Sequence, residues 1–316
     1  MAESARVLDG LAARVERLVD PPEAPQKERA VGNRGCFRVV QIDQRGLSIL
    51  DRVIERLPLV EVVERRRELA TEEMRHPERV MSLAFTLVNA AWLRLLRRMP
   101  LARGEQADAV IAYTTEQGVP FWMPHGLVLR GWALAEQGEL QQGIADLEQG
   151  LAAMTEMGTD LGRSAHYANL ATATARAGRF AEARALIERS KALVVATGER
   201  YYESEIYRLD AELVVSEAGG ADGAPSDARA SAEALLHTAI ECASRQGART
   251  LELRATTALA RVCGRGAKGR QTRARLADLL ASFTEGFDTT DLQEARRLAA
   301  EGPRSPTSAR SRKKGS

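Results

Sequence analysis

Three glycines, Gly118, Gly158 and Gly198, stand 40 residues apart, and a small residue keeps the same interval at Ala91, Gly131, Ala171 and Ala211. Self-similarity at a fixed period of this length is the signature of a repeat array. Leu87, Leu127, Tyr167 and Tyr207 hold the register too, and Trp92 and Trp132 each follow one of the small positions. The register slips once. From Gly198 to Gly247, and from Ala211 to Ala260, the step is 49 residues, nine more than 40, so extra residues lie between Ala211 and Gly247. The segment Gly219 to Asp227, GGADGAPSD, is the expected insertion and is read as a surface loop, because Gly, Pro and Asp favour turns.

Each unit reads as two helices. After Pro120, the residues Leu127, Gly131, Leu134 and Ala135 recur at helical spacing, Gly138 interrupts, and Ile144, Leu147, Leu151 and Met154 form a second stripe. The next unit repeats the plan with Tyr167, Leu170, Ala171 and Thr174, a turn at Gly178, then Ala183, Leu186, Ile187 and Leu193. Glycine at the end of each second helix suits a left-handed cap, where a β-carbon is strained. One such pair cannot bury its apolar stripe alone, so neighbours must stack. The expected fold is all-α, a helix-turn-helix repeat solenoid of about 40-residue units spanning 57–302, with an irregular N-terminal segment at 1–56.

The pattern resembles the tetratricopeptide class, with Gly131, Gly138 and Ala183 where that motif wants small residues, although these units exceed the usual length of about 34. A closer resemblance lies in TEQGVPFW (Thr115 to Trp122), LRGWALAEQGELQQGI (Leu129 to Ile144) and FTEGFDTTDLQEA (Phe283 to Ala295). These strings resemble the C-terminal repeat region of large bacterial proteins that join a nucleotide cyclase domain and a signalling ATPase to tetratricopeptide-like repeats. The resemblance runs from about Ser82 to Leu298 and fades through a half-unit at Leu57 to His76. It implies a protein-interaction scaffold, the sensing or assembly arm of a bacterial signalling system. The alternative it implies is a regulatory fragment of a cyclase or ATPase whose catalytic domains lie outside this chain.

Catalysis by the chain itself is not expected. It has no Gly-x-x-x-x-Gly-Lys-Ser/Thr loop to cradle phosphates, and the glycines Gly264, Gly266 and Gly269 around Lys268 lack that spacing and a preceding strand, so they read as a loop. No carboxylate pair sits in a strand-hairpin setting suited to the two metals of a cyclase. The single cysteines Cys36, Cys242 and Cys263 and the scattered His76, His125, His166 and His237 lack the paired spacings of a zinc site, and no metal or cofactor is expected. Three cysteines give no disulfide framework. With no apolar run near 18 residues and no signal-peptide pattern in MAESARVLDG, the chain is expected to be cytoplasmic and off the membrane.

A net charge of +2 commits the chain to no polyanion, and nucleic acid is disfavoured as a partner. The expected partner is a protein or peptide in the concave groove implied by the tetratricopeptide resemblance. Carrying that groove register over places Phe85, Val88, Trp92 and Leu95 on the groove in one unit. His125, Val128, Trp132 and Glu136 follow in the next, then Thr172 and Arg176, then Glu205, Arg208 and Glu212. The alternative for Trp92 and Trp132 is that they fill space between helices. No convergent polar cluster for a small ligand is apparent in this pattern. Near the N-terminus, Ala5 to Val19 reads as an amphipathic helix and Cys36 to Ile42 as a short strand, while 303–316, with five basic residues and no acid, reads as a disordered tail.

Overall fold

Residues 77–98, 105–220, 223–264 and 266–300 are described by a computed structural model. They form α1 (Pro77–Leu96), α2 (Glu105–Glu116), α3 (Met123–Glu136), α4 (Leu140–Glu156), α5 (Arg163–Arg176), α6 (Phe180–Thr197), α7 (Glu203–Glu217), α8 (Ser226–Gln246), α9 (Arg249–Val262), α10 (Ala267–Ala281) and α11 (Thr290–Ala300). There is no strand among the described residues. The expected N-terminal helix and strand, the half-unit before Pro77 and the basic tail lie outside them.

The 40-residue interval is the distance between equivalent helix starts: α3, α5 and α7 begin at Met123, Arg163 and Glu203, and α4 and α6 at Leu140 and Phe180. Glycine sets the punctuation. Gly118, Gly158, Gly198 and Gly247 follow second helices with φ of 65°, 67°, 73° and 67°, a left-handed conformation that strains any residue with a β-carbon. The chain then reverses through a bond closing the helix end, as Thr159 N–H donating to the Met154 carbonyl and Ala248 N–H to Ala243 illustrate.

Each helix packs on its sequence neighbours, and a second set of contacts joins alternate helices. The odd-numbered helices touch one another in the order α1, α3, α5, α7, α9, α11 and so form one continuous row. The even-numbered helices lie against it from the other side. Three glycines bring α3 and α4 unusually close. A β-carbon on Gly131 would stand 2.6 Å from the Gly143 carbonyl oxygen, one on Gly143 would stand 2.7 Å from the Gly131 oxygen, and one on Gly150 would meet a Val128 methyl at 2.6 Å. The next pair keeps small residues at the matching places, Ala171, Ala183 and Ser190, all buried, and the Ser190 hydroxyl donates to the Ser164 carbonyl across it.

The expected insertion is corrected in its bounds. Helix α7 ends at Glu217 and α8 already begins at Ser226, so Ser226 and Asp227 are helical, and Ala224 is buried rather than exposed. Part of the extra length is helix: α8 has 21 residues against 18 in α6. Of the glycine-rich segment expected to be a loop, Gly264 and Gly266 lie between α9 and α10, whereas Lys268 and Gly269 are already helical in α10. Gly269 is required because its β-carbon would lie 1.8 Å from the Gly264 oxygen.

Gly131→Leu is expected to force α3 and α4 apart and cost about 1–3 kcal/mol or more, since two backbone atoms block the new side chain. Thermal denaturation checks this; an unchanged midpoint would show that the pair is not held by backbone contact.

Candidate functional site

The row of odd-numbered helices curls until its two ends meet. At the C-terminus of α1, Arg98 pairs with Asp291 of α11 at 3.3 Å and with Glu294 at 3.5 Å, and the Leu96 carbonyl accepts a hydrogen bond from Arg254 of α9. Inside the curl lies a cleft of about 400 Å³ to which each of α1, α3, α5, α7, α9 and α11 contributes side chains. Its floor is buried and its rim half-exposed. Asn169, Tyr202, Glu205, Arg254, Thr257 and Asp291 are buried, whereas Arg98, Glu136, Glu212 and Arg261 reach solvent.

The floor carries a chain of alternating charges. Arg208 bonds Glu205 at 2.7 Å, Arg254 stands 3.8 Å from Glu205 and 2.6 Å from Asp291, and Arg98 reaches Asp291 from the far end. Burial alone would raise the Glu205 carboxyl, but Arg208 and Arg254 outweigh it and hold it down at about 2. Burial also works against the Arg254 charge; Glu205 and Asp291 overcome that and keep the guanidinium above its usual range. At the rim, Arg208 also bonds Glu212 and Arg261 bonds Glu294. Beside this chain, the Tyr202 hydroxyl donates to Asn169 Oδ1 at 3.1 Å. Asn169 Nδ2 is buried without a hydrogen-bond partner.

Of the residues expected to line a groove, Trp132, Glu205, Arg208 and Glu212 line this cleft, together with Leu95, Glu136 and Thr172. Arg176 sits beside it on the exposed edge, paired with Glu136 at 3.3 Å. Three expectations are corrected. Val88, His125 and Val128 are buried at 7%, 4% and 1% exposure and present nothing to an open face. Val128 is pressed against Gly150, because the glycine contacts leave no gap between α3 and α4. Val88 belongs to the buried apolar cluster that includes Trp122 and Leu129, and His125 is enclosed by Phe121 and Trp122. Phe85 is exposed but lies against Trp122, 5.6 Å between rings, away from the cleft.

Trp92 fills space inside the curl, as the alternative reading had it. Its ring meets Trp132 at 5.5 Å, His166 at 4.9 Å and Tyr202 at 6.1 Å, so one side chain of α1 touches α3, α5 and the start of α7. Desolvation in this aromatic surround lowers His125 to about 4, with the Phe121 backbone acting weakly the other way, and lowers His166 to about 3 with help from His125.

The convergent polar cluster not apparent in the sequence is present. Its missed members were within reach of the register. Adding the 49-residue step to Glu205, Arg208 and Glu212 gives Arg254, Thr257 and Arg261, all on the cleft. Asn169 occupies the position of Leu129 and Leu209 in the flanking units, a polar residue where the repeat is otherwise apolar. Among the described residues no group of three or more His, Cys, Asp or Glu is placed to hold a metal, Cys242 and Cys263 are free thiols, and no helix is long and apolar enough to cross a membrane. No family model matches the chain, and no curated protein matches it.

Arg254→Met is expected to destabilise by about 3–5 kcal/mol, because it leaves Asp291 buried with a weakened set of partners. Arg254→Met combined with Asp291→Leu should recover much of the loss; chemical denaturation of both variants decides. The pH dependence follows from three lowered groups. His125 and His166 fold neutral, so their contribution is complete above about pH 6.5 and is lost as pH falls toward 4 and 3; Glu205 adds a further loss on approach to pH 2. The melting temperature should therefore be level above neutrality and fall steadily in acid, less steeply in His125→Leu. A midpoint insensitive to pH between 7 and 4 would contradict the buried neutral state.

Proposed function

We propose that the chain is a tetratricopeptide-like repeat solenoid that works as a protein-interaction scaffold, the sensing or assembly arm of a bacterial signalling system, and performs no chemistry of its own. The observation that carries this reading is the single row of same-register residues, Trp132, Thr172, Glu212 and Arg261, contributed by four successive odd-numbered helices to one cleft. Repeats that present equivalent positions side by side make an extended recognition surface. An anchor is available at one end, since a half-buried tryptophan beside a polar rim is a frequent centre of binding energy. The lack of catalysis is inferred from the charges: the guanidinium and carboxylate groups of the floor are spent on one another, which suits a preformed binding surface better than an acid-base pair. The strings that resemble the repeat region of bacterial cyclase and ATPase proteins favour the signalling context.

A protein or peptide partner is proposed to engage the rim through Trp132, Glu136, Arg176 and Glu212. Exchanging Glu136→Arg with Arg176→Glu keeps an exposed ion pair, worth about 0–1 kcal/mol, while reversing the local charge pattern. The expected outcome is loss of partner capture from bacterial extract at least tenfold, with helical content by circular dichroism unchanged. Equal capture by parent and exchanged protein would remove the rim from consideration as the docking surface.

A further inference from the structure

The buried floor of the cleft has a chemistry distinct from its rim. Two guanidinium groups, Arg208 and Arg254, alternate there with two carboxylates, Glu205 and Asp291, and each charge is met by an opposite one within 3.8 Å. An ion entering this floor finds no uncompensated counter-charge, and its own desolvation would go unrepaid. The unmet demand is neutral. Asn169 is 4% exposed and lines the cleft, its Oδ1 is held as an acceptor by the Tyr202 hydroxyl, and its Nδ2 has no partner. A buried amide N–H without an acceptor costs on the order of 1–3 kcal/mol, so such a group in a cavity signals something that completes it.

We propose that this floor is a binding site for a small uncharged polar molecule, an amide or a sugar, whose oxygen accepts from Asn169 Nδ2 while a flat apolar face rests on Trp132. The size fits. A cleft of about 400 Å³ falls at the lower end of the roughly 300–1,000 Å³ range of small-molecule sites. Trp132 supplies the apolar wall and stays in place because Trp92 meets its ring at 5.5 Å. Thr172, on the same register as Trp132 one unit on, leaves room in front of it: a half-buried threonine stands where the previous unit has a tryptophan. Because the floor joins α1, α9 and α11 through Arg254, a molecule held there also braces the place where the ends of the curl meet. The site therefore makes the chain a receptor for a small effector, one that shares Trp132 with a partner docked on the rim.

The test uses purified full-length chain and two matched compound sets. One contains uncharged amides (N-acetyl amino-acid amides) and neutral mono- and disaccharides; the other contains their ionised counterparts, N-acetyl amino acids and sugar phosphates. Thermal shift finds binders and isothermal calorimetry measures them. The expected result is saturable one-to-one binding by an uncharged compound, with its ionised counterpart at least tenfold weaker. Asn169→Asp keeps the acceptor for Tyr202 but loses the donor, and should weaken that binding at least tenfold. Should this variant fail to fold, Thr172→Trp, a change at a half-buried position that fills the cleft, must abolish binding instead. The proposal is overturned if only ionised compounds bind, if binding survives both substitutions, or if no uncharged compound binds at millimolar concentration, since water alone then satisfies Asn169. Equal partner capture by the parent and the Glu136→Arg, Arg176→Glu protein, with small-molecule binding intact, would count against the scaffold reading alone.

Discussion

One side chain, Arg254, holds the arrangement of the inner row together. It leaves α9, stands between Glu205 of α7 and Asp291 of α11, and donates to the Leu96 carbonyl at the end of α1. A guanidinium can do this because its several N–H groups lie in one plane and point in different directions, so it can serve two carboxylates and a carbonyl at once. The carbonyl matters as much as the acids. Leu96 ends its helix, where carbonyls have no partner within the helix, and Arg254 supplies a donor that closes the curl. The cleft exists because the ends meet. Were α1 and α11 apart, the same residues would line an open trough, and Glu205 and Asp291 would each be partly solvated.

The backbone contacts between α3 and α4 set the other limit on shape. Gly131, Gly143 and Gly150 allow two helices to touch main chain to main chain, which uses up the face on which Val128 sits. The next pair relaxes this with Ala171, Ala183 and Ser190, adding a β-carbon at each place and a hydrogen bond from Ser190. The closeness of approach thus differs between two successive helix pairs although both keep the 40-residue step. A single set of groove positions, transferred unit by unit, cannot hold throughout.

That difference explains what the sequence made legible. The alternation of helices and the turns at Gly118, Gly158, Gly198 and Gly247 were readable, because a positive φ is a local demand that only glycine meets cheaply. Part of the cleft was readable as well: the tetratricopeptide register carried over placed Glu205, Arg208 and Glu212 on the groove, but it was not carried one step further to Arg254, Thr257 and Arg261. Val88, His125 and Val128 misled because their burial depends on how closely another helix approaches, a non-local quantity. Asn169 was missed for the opposite reason. Surrounded by alanine and leucine in RSAHYANLATATAR, it is a single departure, and only comparison with Leu129 and Leu209 exposes it.

The same register position tells the rest. His125, Ala165, Glu205 and Arg254 are equivalent under steps of 40, 40 and 49 residues, yet the first is a neutral ring among aromatics and the last two are charges. His125 is enclosed by Phe121 and Trp122, and its burial disfavours the charged form of the ring. Toward α9, Thr257 and Arg261 stand at the positions of Val128 and Trp132 and put polar groups where those side chains are apolar, beside a cavity that apolar side chains do not fill. Charges placed in such a cavity are stable only when they neutralise each other, which Glu205 and Arg254 do as neighbours one unit apart. The inner row is therefore graded: packed and neutral around His125 and His166, ion-paired around Glu205 and Arg254. The cleft falls where the aromatic row stops, at Trp132, with Thr172 as the first small residue beyond it.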